Sequence, residues 1–166
     1  AAKRLLSAVQ RDYCGWGISA LVLKYVALPA SPEIFRALVG GLLSLSKLKA
    51  IDFGSSTSTS PALTDAQARI LAEEVAEAKY LESLSIKVID SHKISVMLGQ
   101  MIADNKSLIS FSSNHRDDRH MFPVFLASVL NNVTLRKLAF SGVEYSATCG
   151  VMCDVFSPYS PRTERA

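Results

Sequence analysis

Apolar residues recur along this chain in one fixed phrase. Leu81-Glu-Ser-Leu84-Ser-Ile86 is followed by a polar turn and then by apolar positions at helical spacing. The phrase returns 27 residues later as Leu108-Ile-Ser-Phe111-Ser-Ser113, and 27 after that as Leu135-Arg-Lys-Leu138-Ala-Phe140. Two earlier versions, Ile18-Ser-Ala-Leu21-Val-Leu23 and Leu48-Lys-Ala-Ile51-Asp-Phe53, stand 30 apart, and the step from the second to the third is 33. Within each phrase the apolar residues alternate, which predicts a strand buried on one side. A fixed period headed by L-x-x-L-x-L is the signature of an array in which each repeat supplies a strand and a helix.

Between the phrases the period changes from two to 3.6. The first inter-phrase helix is predicted from Pro32 to about Lys47, with Ile34, Leu38, Leu42 and Leu45 on its inner face. Ser31 caps it, Pro32 suits its first turn, Glu33 favours the positive end of its dipole, and Gly40-Gly41 weakens it locally. Thr64-Asp-Ala-Gln67 forms a capping box that opens a second helix to about Lys79, with Ile70, Leu71 and Val75 inward. A third is expected from Ser91 to about Asn105 on Ile94, Leu98, Met101 and Ile102. A fourth opens after Asp117-Asp118 and runs to about Asn131 on Met121, Phe122, Phe125, Val129 and Leu130, with Pro123 in its first turn. Ala1–Tyr13 reads as an amphipathic helix on Leu5, Leu6 and Val9, and Ser146–Phe156 as one more short helix. The surplus in the 33-residue step lies in 54–62, a Ser/Thr-rich loop that reads as a linker. Residues 1–157 are expected to form one domain, its N-terminal helix a cap or the end of a preceding repeat, and 158–166 a loose tail.

At least 21 residues separate one phrase from the next. That suits the crossover that parallel neighbours need and is too long for a hairpin, and such crossovers are right-handed almost without exception. The expected fold class is therefore α/β: a right-handed leucine-rich-repeat solenoid of about five strand–helix repeats, with a parallel concave sheet and outer helices. The polar, Asn-containing exits Ala103-Asp-Asn-Lys-Ser-Leu108 and Leu130-Asn-Asn-Val-Thr-Leu135 complete a repeat that resembles the ribonuclease-inhibitor type of leucine-rich repeat. Tropomodulin-like domains and the sensor regions of immune receptors share that fold. The resemblance spans roughly 16–157 and implies a non-enzymatic surface that holds another macromolecule. One element of the family pattern is missing. The turn-closing Asn or Cys is expected three residues after the last strand apolar, and those positions here are Val26, Ser56, Ile89, Arg116 and Val143.

Composition narrows the function further. Hydrophobic residues make up 49% and charged ones 20%, values of a folded globular chain. The net charge of +3 is unevenly spread: residues 1–50 carry seven Lys/Arg against two acids, and 51–90 three against seven. No dense Lys/Arg stripe is visible along the sequence, so RNA is the alternative partner rather than the leading one. Cys14, Cys149 and Cys153 cannot all pair, which favours a reducing, intracellular and cytoplasmic setting. The most apolar run, Trp16–Ala30, is broken by Lys24 and too short to span a bilayer.

Candidate chemistry is sparse. Cys149 and Cys153 stand four apart without the further ligands a zinc site needs, so neither metal nor cofactor is expected. His115-Arg-Asp-Asp-Arg-His120 reads as a helix start with its charges balanced, and His92 as a surface residue after a cap. Phosphate loops, nucleophile elbows and zinc-protease motifs are absent from the sequence.

Function is therefore expected on the concave strand face. Alternation turns outward Ala20, Val22 and Lys24; Ala50, Asp52 and Gly54; Ser83, Ser85 and Lys87; Ser110, Ser112 and Asn114; Lys137, Ala139 and Ser141. The set is small and polar, shaped to take a bulky element such as a helix of a neighbouring subunit. Lys24, Asp52, Lys87 and Lys137 are positioned to fix its register. The chain reads as a protein-binding scaffold, a subunit of a larger assembly or a segment of a longer repeat protein. At least one end is expected to be covered by a neighbouring chain or by further sequence, since neither carries a polar cap.

Overall fold

A computed structural model describes residues 4, 7, 17–23, 27–54, 62–87, 92–113, 131–140 and 143–146. Every strand phrase becomes a strand: β1 (Ala20–Val22), β2 (Ala50–Asp52), β3 (Ser83–Ile86), β4 (Ser110–Ser113) and β5 (Lys137–Phe140). They lie side by side in sequence order, and β1 to β5 are parallel. Equivalent phrase positions are direct partners, as in Leu84↔Phe111 and Phe111↔Leu138. Between the strands run α1 (Pro32–Leu43), α2 (Asp65–Ala76) and α3 (His92–Asp104), with α1 packed on α2 and α2 on α3. The result is an α/β fold with a five-stranded parallel sheet. Arg4 and Ser7 are helical, within the helix expected at 1–13.

The helices begin where their caps dictate. Ser31 accepts from Ile34 N–H ahead of Pro32, and Thr64 and Gln67 satisfy each other's backbone N–H groups in a complete capping box. Gln67 also donates to Pro29 O at 2.9 Å, tying the start of α2 to the segment before α1. Thr64→Ala is expected to destabilise the protein by about 1 kcal/mol, read as a lower urea midpoint at unchanged slope. The first helix ends at Leu43, short of the expected Lys47, because its last apolar residue serves the turn instead. Leu45 is buried beyond the end of α1 and donates to Leu42 O.

One core unites the layers. Ile51, Leu84, Phe111 and Leu138 from the strands meet Leu38, Leu42, Leu71, Val75, Ile94, Leu98 and Ile102 from the helices, all buried. The inner face of α1 differs from expectation at one position: Ile34 is 46% exposed, while Phe35, at 0%, joins Leu38, Val39 and Leu42 inside. Both sets satisfy helical spacing, and the larger aromatic removes more apolar area from water, so the helix is turned to bury it.

Three further differences follow. The returns before β4 and β5 are closed by asparagine after all, from the opposite end of the repeat. Asn105 Nδ2 donates to Val75 O and Ala78 O while its Oδ1 accepts from Ser107 N–H and Leu108 N–H. Asn132 repeats this one turn later on Ile102 O, Asn105 O, Thr134 N–H and Leu135 N–H. Each asparagine is buried and bonds four backbone groups, two in its own return and two in the one before. Secondly, Val143–Ser146 forms β6, antiparallel to β5, where the sequence indicated only a turn. Thirdly, Ser146 closes that strand and does not start a helix. The rest of that expected helix, the helix expected after Asp118 up to residue 130, residues 55–61 of the Ser/Thr-rich loop, most of 1–13 and the 158–166 tail lie outside the described residues.

Candidate interaction surface

Parallel, in-register pairing converts the period-2 pattern of each strand into rows across the sheet. One side carries the row Leu21, Ile51, Leu84, Phe111 and Leu138, buried except for the half-buried Leu21. The other carries two rows, Ala20–Ala50–Ser83–Ser110–Lys137 and Val22–Asp52–Ser85–Ser112–Ala139. Ala20, Val22 and Lys137 are exposed, and Ala50, Asp52, Ser83, Ser85, Ser110, Ser112 and Ala139 are half-buried. The structure thus gathers most of the expected surface residues on one side of the sheet. Lys87 follows β3 and is half-buried, whereas Gly54 is buried; Lys24, Asn114 and Ser141 lie outside the described residues.

Small side chains keep these rows low. Alanine and serine rise little above the pleat, so a partner approaching here meets hydroxyls and backbone at short range. Asp52 is committed locally: its Oδ1 accepts from Gly54 N–H at 2.7 Å, and Gly54 takes φ 95°, a conformation that a side chain would strain. That bond turns the chain away at the end of β2.

The uneven charge of the sequence has a structural use. Arg36 on α1 donates to Glu74 Oε1 at 2.8 Å and to Glu73 Oε2 at 2.5 Å on α2. Those two acceptors, Glu73 first, raise its pKa further above the ordinary guanidinium range. Lys49 before β2 meets Glu82 before β3 at 3.0 Å, with its ammonium 5.9 Å from the Tyr80 ring centroid. A basic first stretch is thereby matched to an acidic second one, turn against turn. Glu33, in contrast, serves its own helix, where a hydrogen bond from Ser31 Oγ holds its carboxyl below the usual range.

The helix layer offers a groove of about 760 Å³ between α1 and α2, lined by Pro32, Glu33, Arg36, Ala37, Asp65 and Arg69 among others. Among the described residues its lining has no hydroxyl, thiol or imidazole nucleophile. Among the described residues no group of three or more His, Cys, Asp or Glu is placed to hold a metal ion, and no helix is long and apolar enough to cross a membrane. Cys14, Cys149, Cys153 and the His115–His120 run lie outside the described residues, and His92 is the first residue of α3.

Sequence reasoning placed the open-face rows through alternation alone. It missed the Lys49–Glu82 and Arg36–Glu73/Glu74 contacts, whose only trace in the sequence is the opposite charge balance of adjacent repeats.

No protein-family model matches the chain, and no curated protein matches it in sequence. Solved structures do share its fold. A domain described as leiomodin-1 actin-binding site 2 superposes with a TM-score of 0.62 at 15% identity, covering 82% of this chain and 77% of that one. The tropomodulin C-terminal domain of Caenorhabditis elegans gives 0.61 at 14% identity, covering 84% and 82%. The fold is accordingly leucine-rich-repeat-like.

Proposed function

We propose that this chain is a non-catalytic protein-binding module whose partner lies on the open side of the sheet. The supporting observation is the pair of in-register rows of small side chains across β1–β5, which let a bulky element come close to the backbone. A helix from a neighbouring subunit fits such a face, with Lys24, Asp52, Lys87 and Lys137 expected from the sequence to fix its register. The setting we favour is intracellular, within a larger assembly or as part of a longer repeat protein wound in the right-handed sense that parallel crossovers prefer. The leiomodin-1 domain of the same fold is named for binding actin, which supports a protein as the partner class. RNA contact, the alternative favoured by the basic first 50 residues, draws less support from the contacts. Two of those cations, Arg36 and Lys49, are engaged by Glu73, Glu74 and Glu82.

The test is a pair of substitutions on adjacent strands. Ser85→Arg with Ser112→Arg raises two long cations over the centre of the face. The chain and this variant are each used as affinity bait in extract from the native source. A co-purifying protein retained by the original and lost at least about tenfold from the variant is expected. Equal retention by both, with native circular dichroism, removes the open face as the binding surface.

A further inference from the structure

The sequence holds no cationic stripe, yet the fold assembles one. Parallel, in-register strands bring the four helix-to-strand returns, residues 46–50, 79–83, 106–110 and 133–137, onto one rim. These twenty positions contain Lys47, Lys49, Lys79, Lys106, Arg136 and Lys137, against Glu82 alone as an acid. Lys49 is half-buried and the other five cations are exposed. Neighbouring strands lie about 4.8 Å apart, so the ridge runs about 14 Å from the start of β2 to the start of β5.

Part of this charge serves the helices. Their carbonyl ends face this rim, none of α1, α2 or α3 has a basic residue in its last turn, and Lys106 Nζ donates to Ala103 O at 3.3 Å. That role suits Lys47, Lys79 and Lys106. Arg136 and Lys137 stand at the head of β5, and their backbone N–H groups both donate to Ile109 O. Exposed apolar side chains are set among these cations: Val133 at 75%, Ile109 at 41% and Tyr80 at 41%. Arg136 Nη1 donates to the backbone carbonyl of Val133 at 3.2 Å.

We infer that this rim, which borders the open sheet face and shares Lys137 with it, is a second docking surface, and that it receives an acidic protein segment in which carboxylates are interspersed with apolar side chains. Charge complementarity sets the acidic requirement. The aliphatic residues decide between partner classes. A phosphodiester backbone gains nothing from Val133 and Ile109, whereas an amphipathic peptide buries them. About 14 Å corresponds to roughly nine residues of helix or four of extended chain, so a short segment suffices.

Fluorescence anisotropy on the intact chain tests this with three labelled probes of about twelve units. They are a peptide of repeated Glu-Glu-Leu-Leu, oligoglutamate, and oligouridylate, each titrated at about 50 and about 200 mM salt. Lys106→Glu with Arg136→Glu is expected to weaken the Glu/Leu peptide by about tenfold or more, and Val133→Ser with Ile109→Ser by about threefold. Arg69→Glu with Lys93→Glu, the same charge change on exposed helix positions, is expected to stay within about twofold. Circular dichroism confirms that each variant is folded. The inference is overturned if no probe binds, if both charge reversals weaken binding alike, or if the Val133/Ile109 variant binds unchanged. Ridge-dependent binding of oligouridylate in preference to the peptide also overturns it and identifies a nucleic-acid surface. None of these readouts involves Ser85 or Ser112, so this surface and the open face stand or fall separately.

Discussion

Phe111→Ala is expected to lower the unfolding free energy by about 4 kcal/mol, the largest effect of any single substitution considered. Phe111 is fully buried in β4, between Leu84 on β3 and Leu138 on β5 in the same row. Truncation there removes the transfer free energy of an aromatic ring and leaves a cavity between neighbours that are themselves held by the sheet, which limits collapse. In a domain of this size the loss corresponds to a melting temperature lower by roughly 8–16 °C. Urea denaturation followed by circular dichroism measures it, with the midpoint falling at nearly constant slope. A loss below about 1.5 kcal/mol would show that the Leu84–Phe111–Leu138 row is not the packed centre of the stack. Val22→Ala, on the open side at 60% exposure, is the control and is expected to change stability by less than about 0.5 kcal/mol.

Asn105→Ala is expected to be nearly as damaging, at about 3 kcal/mol, although it removes little apolar surface. It removes one hydrogen bond from each of Val75 O, Ala78 O, Ser107 N–H and Leu108 N–H in a buried turn. Each group left unsatisfied costs about 1–3 kcal/mol, offset where local relaxation or Ser107 Oγ, already on Ala78 O and Leu81 O, replaces a bond. Hydrogen exchange separates this cause from simple loss of packing. The Ser107 and Leu108 amides should lose protection ahead of the β3 and β4 amides, because the defect is confined to the turn. Uniform loss of protection across the sheet would instead place Asn105 in the general core. Asn105→Asp keeps the acceptor and loses the donor, and is expected to fall between the two.

How much of this was legible in the sequence depends on the range of the interaction that decides each feature. Strand positions were readable because Leu84, Phe111 and Leu138 recur at a fixed interval and alternate locally. The Thr64–Gln67 capping box was readable because its bonds span three residues. The inner face of α1 was not, since Ile34 and Phe35 both fit helical spacing and only the packed core chooses between them. Asn105 and Asn132 were visible as polar exits, but their acceptors lie 27 and 30 residues back, beyond any local pattern. The candidate surfaces divide in the same way. The open-face rows follow from alternation within single strands, whereas the cationic rim needs four separated segments brought into register.

The reversal after Phe140 sets a direction for the whole array. A new turn joined beyond β5 in the manner of its predecessors requires the outer edge of that strand, and β6 already occupies it through antiparallel pairs such as Leu138↔Tyr145. An engineer wishing to lengthen this protein must therefore insert modules ahead of Ala20 or splice them between existing turns. Appending them downstream would first demand that the Val143–Ser146 hairpin arm be prised away.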